Sequence, residues 1–195
     1  MTVELMPAPS DEQTMLVDAS VRFIESEHPM AAVRQRADGA DHDDDTYRGT
    51  AAELGWFGVL ADDAHGGGSV SGNGVLDAAL IAAERGARLQ PGPFVGHCVV
   101  VDALTSAGSH GAVLDDLVAG RAWASWADGS VAGCELRDEG DGLRLGGVIP
   151  VVADGAACTW LLVAANASDG LAQVLSTKPF RDVVRDSRNW SGRVS

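Results

Sequence analysis

The sequence is short of lysine, aromatic residues and cysteine, and each shortage narrows what the chain can do. Lys178 is the single lysine among 14 basic residues, set against 28 acidic ones, and the formal net charge is −14. A chain of that balance has no general attraction for nucleic-acid phosphates or anionic lipid, so neither nucleic acid nor a membrane is an expected partner. The skew to arginine, with abundant Ala and Gly, reads as codon usage rather than function. Cys98, Cys134 and Cys158 are odd in number, far apart and flanked by apolar residues (HCVVV, AACTW). They read as free thiols, not as disulfide or metal ligands. No apolar run reaches the roughly 18 residues that a spanning helix needs. Met1 to Ser10 lacks the basic start and apolar stretch of a signal peptide, so the expected location is the cytoplasm. Without a secretion signal, the glycosylation patterns at Asn166-Ala-Ser168 and Asn189-Trp-Ser191 carry no meaning.

What remains is a foldable chain. It has 195 residues, 46% of them hydrophobic and 22% charged, enough for one large or two small domains with a real core and too apolar for general disorder. Up to about residue 121 the pattern is helical. Ser10 with Asp11, Glu12 and Gln13 is a capping-box start, and Met15, Leu16, Ala19, Phe23 and Ile24 follow at helical spacing. Pro29 opens a second helix over Met30 to Ala37, stopped by Gly39. A third follows the acidic run Asp41 to Asp45 and ends at Gly55. Val75 to Ala83 is almost wholly apolar and predicts a buried fourth helix. After the Leu89-Gln-Pro-Gly-Pro93 turn come two more helices, Phe94 to Ala107 and His110 to Val118. Beyond Gly120 the period shortens. Ala122 to Ala127, Ile149 to Val152, Trp160 to Ala165 and Leu171 to Leu175 read as strands. Glu135 to Arg137 and Leu143 to Leu145 flank a glycine-containing turn and predict a hairpin. The expected fold class is α+β, an all-α N-terminal domain followed by a small, incomplete antiparallel β domain.

Few constellations carry chemistry by themselves. His42 in the Asp41–Asp45 run is explained by helix capping better than by a metal, because five consecutive residues cannot all face one ion. His65-Gly-Gly-Gly68-Ser69 lacks the spaced glycine and Lys-Ser/Thr of a phosphate loop and reads as a flexible interhelix loop. Nucleophile elbows, HExxH and CxxC are absent. His97 reads as a satisfied core histidine. Trp123 and Trp126 straddle Ser125 and fall on opposite faces of a strand, one toward the core. Glu84 and Asp77 read as ordinary polar positions on the fourth helix.

Four segments, in order, resemble the acyl-CoA dehydrogenase family. Ala52-Glu-Leu-Gly-Trp-Phe-Gly-Val59 with Ala61 to Gly68 is similar to "AELGWLG…PEEYGGxG". Ala82-Ala-Glu-Arg-Gly86 with Leu89-Gln-Pro-Gly-Pro-Phe94 is similar to "AEELGR…LxPGPF", a version common in actinobacterial relatives, including subunits of steroid side-chain breakdown. Leu117-Val-Ala-Gly-Arg121 matches "LxxGE". Asp141 to Gly147, Ala153 to Ala156 and Leu161 to Ala165 resemble "DGYRLNG…VTNGxxADxLLVAA". The resemblance implies a helical domain over 1–121 and a truncated middle β domain over 122–195, the usual C-terminal domain with its catalytic glutamate lying outside this chain. It also implies FAD-dependent oxidation of a fatty or steroidal acyl-CoA to the 2-enoyl-CoA, with electrons passing to an electron-transfer flavoprotein. Its flavin-contacting positions fall on Trp126, Ala127, Asp128, Ser130, Val152, Ala153 and Asp154. These depart from the family's "ALTEPxxGSD" and aromatic-Ile/Val-Thr/Ser-Asn segments. The expected partner is therefore another acyl-CoA dehydrogenase subunit in a homo- or hetero-oligomer. The alternative is a non-catalytic scaffold or acyl-CoA-binding subunit with a degenerate flavin site.

Overall fold

A computed structural model describes residues 8–38, 44–140, 142–177 and 190–193. His42, Gly39 and the start of the acidic run lie outside these. The chain divides into two compact units, residues 1–91 with 110–121, and residues 92–109 with 122–195.

The first unit is helical. α1 (Asp11–Glu27) begins as the capping box predicts: Ser10 Oγ accepts from Gln13 N at 3.2 Å, and Gln13 Oε1 accepts from Ser10 N at 3.0 Å. Short α2 (Met30–Ala37) follows Pro29, whose fixed φ suits the start of a helix and whose missing amide costs nothing there. α3 is Asp44–Glu53, α4 Gly74–Ala87 and α6 Gly111–Val118. Phe23, Tyr47, Ala51, Trp56 and Phe57 are all buried. Phe23 meets the Trp56 ring edge-on at 5.2 Å, and the indole N–H donates to Ser20 Oγ at 3.0 Å, so this large side chain is buried without an unmet donor. The Gly66–Gly68 segment is held closely. A Cβ on Gly67 would lie 2.4 Å from Gly58 O and 2.5 Å from Ala61 Cβ, and Gly68 N donates to Gly58 O at 2.9 Å.

The apolar fourth helix reverses the expectation in part. Its buried face includes Asp77 and Arg85, while Val75 is 72% exposed. Polar partners reach in from other segments, as described below, and compensate the buried charges.

The second unit packs α5 (Phe94–Ala107) against a six-stranded sheet. The strands are β1 (Ala124–Asp128), β2 (Glu135–Asp138), β3 (Leu143–Gly147), β4 (Trp160–Ala167), β5 (Gly170–Ser176) and β6 (Trp190–Arg193). The predicted β2–β3 hairpin forms, with Leu136 opposite Leu145, and β5 returns antiparallel on β4. The sheet is mixed rather than antiparallel throughout. β1 runs parallel to β4, Ala124 opposite Trp160, and β2 meets β4 in parallel at Glu135 and Asn166. Parallel neighbours are joined by long connections and leave no tight-turn signal in the sequence. Ile149 to Val152 is not a strand, because Pro150 cannot donate to a ladder. Leu161 to Ala165 are all buried, the pattern of a central strand covered on both faces. No helix among the described residues is long and apolar enough to cross a membrane.

Candidate cofactor site

β1 is positioned by small residues and a buried histidine. Gly96 on α5 faces Ser125, and a Cβ there would come within 2.5 Å of Ser125 Oγ. Gly92, at φ +90°, similarly makes room for the buried Trp123 ring. His97 is fully buried. Its Nδ1 accepts from Ala124 N at 3.3 Å, and its ring meets Trp123 edge-on at 5.4 Å. Thr159 N and Trp160 N both donate to Trp123 O, tying the entry of β1 to the start of β4.

Ser125 is the residue that brings the two candidate segments together. It is 1% exposed, and its Oγ donates to Ala153 O at 2.9 Å. A hydroxyl within the apolar run Ala122 to Ala127 is the sequence signal for such a link, since a buried donor needs an acceptor. Trp126 is 38% exposed, whereas Trp123 is buried, in line with opposite faces. Ala127 is buried in a cluster with Cys134, Leu145, Leu161, Val163, Ala165 and Val174, and Val152 packs against that cluster. Asp128 caps the turn that follows, its carboxylate accepting from Ser130 Oγ at 2.6 Å and from Val131 N at 3.3 Å. Those bonds, the Ser130 hydroxyl first, hold its carboxyl below the usual range. Asn166 Nδ2 donates to Ser130 O at 3.1 Å and braces the same turn. Ala153 and Asp154 are exposed, with Asp154 at a left-handed φ of 52° just before the Gly155–Ala157 turn. The nearby Cys158 thiol is pushed up to about 12 by burial and by Asp154, which makes it a poor nucleophile.

Asp77, read from the sequence as an ordinary polar position, is instead fully buried in the helical unit, and Arg85 is buried too. Asp77 takes hydrogen bonds from Gln13 Nε2 (2.9 Å), Ser69 Oγ (2.6 Å), Ser71 Oγ (2.6 Å) and Ser71 N (3.2 Å). Burial by itself would raise its pKa, but these bonds outweigh it and hold the carboxyl below its ordinary value. Arg85 donates to Tyr47 Oη at 3.0 Å and to Pro91 O, and stacks over Trp56. Tyr47 in turn donates to Gln90 Oε1 at 3.0 Å, and burial raises its phenol pKa. An acid inside an apolar helical run is the one signal that could have flagged Asp77.

A helical unit joined in sequence to a unit with a mixed sheet is one class of α+β protein. Residues 10–112 match the family model "Acyl-CoA dehydrogenase, N-terminal domain", and the chain belongs to the acyl-CoA dehydrogenase family. No curated protein sequence matches it. Among solved structures it is similar to a variant of the Tcur3481-Tcur3483 steroid ACAD, at 25% identity and TM-score 0.73, over 86% of this chain and 48% of that one. It is also similar to the ChsE4-ChsE5 complex from Mycobacterium tuberculosis (19%, TM-score 0.72, 88% of this chain and 49% of that one). A third is a glutaryl-CoA dehydrogenase from Mycobacterium smegmatis in complex with FADH2 (15%, TM-score 0.68, 87% and 46%). The chain spans about half the length of each of these proteins.

The seven positions do not fit FAD by their side chains. A flavin ring needs donors for its carbonyl oxygens and an acceptor for its ring N–H. Ala127 and Val152 face the core, and Asp128 and Ser130 are bonded to each other. Ala153 carries no polar side-chain atom, and Asp154 offers an exposed carboxylate that cannot donate when ionised. Trp126 contributes a partly exposed indole.

Proposed function

We propose that this chain is part of an FAD-dependent acyl-CoA dehydrogenase assembly that oxidises a fatty or steroidal acyl-CoA to its 2-enoyl-CoA, and that alone it neither holds the flavin nor turns over. One observation carries the reading: of the seven flavin positions, Ala127, Val152 and Ala153 have no polar side-chain atom and the Ser130 hydroxyl already donates to Asp128, which leaves the Trp126 indole as the remaining side-chain donor for a flavin carbonyl. The domain assignment that goes with it is a helical domain over 1–121 and a middle β domain over 122–195. The likeness to a steroid ACAD supports a bulky acyl group as substrate, and the likeness to the ChsE4-ChsE5 complex supports a second subunit of the same family as partner. Electrons would then leave to an electron-transfer flavoprotein.

The test is spectroscopic. The chain purified alone is expected to lack flavin absorbance after incubation with FAD and desalting. Co-expression with the product of an adjacent acyl-CoA dehydrogenase gene should yield a yellow complex that oxidises acyl-CoA. Stoichiometric flavin on the isolated chain would overturn the first half of the proposal, and no flavin or activity in any co-expressed mixture would overturn the second.

A further inference from the structure

The start of α4 carries a chemistry that the proposed reaction does not use. Of the three asparagines, Asn73 alone is followed by glycine. Asn-Gly is the pair in which the carboxamide is attacked most readily by the next backbone nitrogen, because glycine has no Cβ to crowd the approach. Asn73 is exposed. Gly74 cannot carry a side chain without displacing backbone, since a Cβ there would lie 2.7 Å from Val59 O. Asn73 caps α4: its Oδ1 accepts from Leu76 N at 3.2 Å, and its own N donates to Ser71 Oγ at 3.3 Å. Two features of this cap favour attack on Cγ. The Gly74 amide is the first of the helix and donates to no described residue, so no acceptor competes for it. The Leu76 N–H already bonds the oxygen on which negative charge develops, at the positive end of the helix dipole, as an oxyanion donor does. Asn166 is the contrast. It is exposed too, but Ala167 follows it in the β4–β5 ladder, and its Nδ2 donates to Ser130 O at 3.1 Å.

We propose that Asn73 is a site of spontaneous deamidation that remodels the start of α4. The Gly74 nitrogen gives its proton to hydroxide and bonds to Asn73 Cγ. The Cγ–Nδ2 bond breaks, Nδ2 leaves as ammonia, and a cyclic succinimide remains. Water then opens one of its two carbonyls. One product is aspartate, whose carboxylate can still accept from Leu76 N and suits the helix dipole. The other is isoaspartate, in which the main chain runs through Cβ and Cγ and is longer by a methylene. The Asn73 carbonyl that accepts from Asp77 N at 3.0 Å then belongs to a free carboxylate instead of a peptide. Asp77 also holds Gln13, Ser69 and Ser71, so the change falls within the segment that ties α4 to α1.

Peptide mapping of the full native chain after incubation in mildly alkaline, oxygen-labelled water tests the site. The peptide with Asn73 is expected to turn acidic and take up the label, split between aspartate and isoaspartate. Its rate should rise in proportion to hydroxide, while the Asn166 peptide stays an amide. Isoaspartate methyltransferase should label that peptide in the wild type and not in Asn73→Ser, which keeps a capping oxygen. The separated isoaspartate form should unfold at a lower urea midpoint than Asn73→Asp, which stands for the other product. An Asn73 that stays an amide in the native chain, whether or not the urea-unfolded chain converts, would overturn the proposal. Equal urea midpoints would overturn its structural half. None of these readouts depends on flavin or acyl-CoA.

Discussion

Gln13 on α1 donates from Nε2 to the Asp77 carboxylate on α4 at 2.9 Å, across 64 positions of sequence. The same carboxylate collects Ser69 and Ser71, so one buried acid ties the first helix, the loop before α4 and α4 itself. Replacing Asp77 with Ala should strand these donors and cost about 2–4 kcal/mol of unfolding free energy, read as a shift in urea midpoint. Asp77→Asn keeps the volume but cannot accept from all of them, and should cost less than Ala. Because the folded pKa lies below the unfolded one, this stabilisation is present above about pH 4 and is lost as pH falls through the folded value. An acid titration of the wild type should show that loss, and Asp77→Asn should flatten it.

His65 and Asp115 make the opposite case. Nδ1 lies 2.7 Å from Asp115 Oδ1, joining the Asp63–His65 turn to α6. That hydrogen bond, with the charges of Asp115 and Asp62, raises the His65 pKa. The stabilisation is therefore complete below about pH 6.5, the unfolded value, and disappears as pH rises through the folded one. An NMR titration of the His65 ring should give a midpoint above 6.5 in the wild type, moving down in Asp115→Asn. A midpoint unmoved by the substitution would exclude the pair as its cause.

Three glycines separate packing from conformation. Gly67→Ala would place a methyl against backbone at 2.4 Å and is expected to destabilise by about 1–3 kcal/mol. Gly66→Ala meets open space but must hold φ at 73°, at a cost of roughly 1–2 kcal/mol. Gly86→Ala, in open space on α4 with no left-handed φ, should stabilise by about 0.5–1 kcal/mol. Thermal melts of the three variants in parallel check the signs.

Gly96 and Ser125 should behave as a coupled pair. Gly96→Ala is expected to cost about 1–3 kcal/mol, since its methyl meets Ser125 Oγ at 2.5 Å. Ser125→Gly removes that atom and also releases Ala153 O. The double variant should therefore fall short of the sum of the two by about 0.5 kcal/mol or more. Strict additivity in a double-mutant cycle would show that the close approach is relieved elsewhere.

How much of this was legible in advance depends on how local the signal is. Ser10 through Gln13 carry their cap within four residues, and α1 starts there. The glycine-containing turn after Asp138 carries its hairpin in the same way. The parallel pairing of β1 with β4 has no local marker, and Pro150 was a breaker inside an apolar run that hydropathy by itself reads as a strand. The candidate site follows the same division. Trp126 to Ser130 could be placed on a strand and turn, but not the fact that the Ser130 hydroxyl donates to Asp128.

By itself, then, the sequence determined the helices, the hairpin, the apolar central strand and, through four ordered motifs, the family. These rest on periodicity, caps and turns, whose physics acts over a few residues. The tertiary structure decided which polar groups are buried and with whom: Asp77 with Gln13 and two serines, Arg85 with Tyr47, and Ser125 with Ala153. Those are long-range choices. A side chain's hydrogen-bonding capacity is written in its chemistry, but its partner is set by which distant segments the packing of the core brings within 3 Å or so.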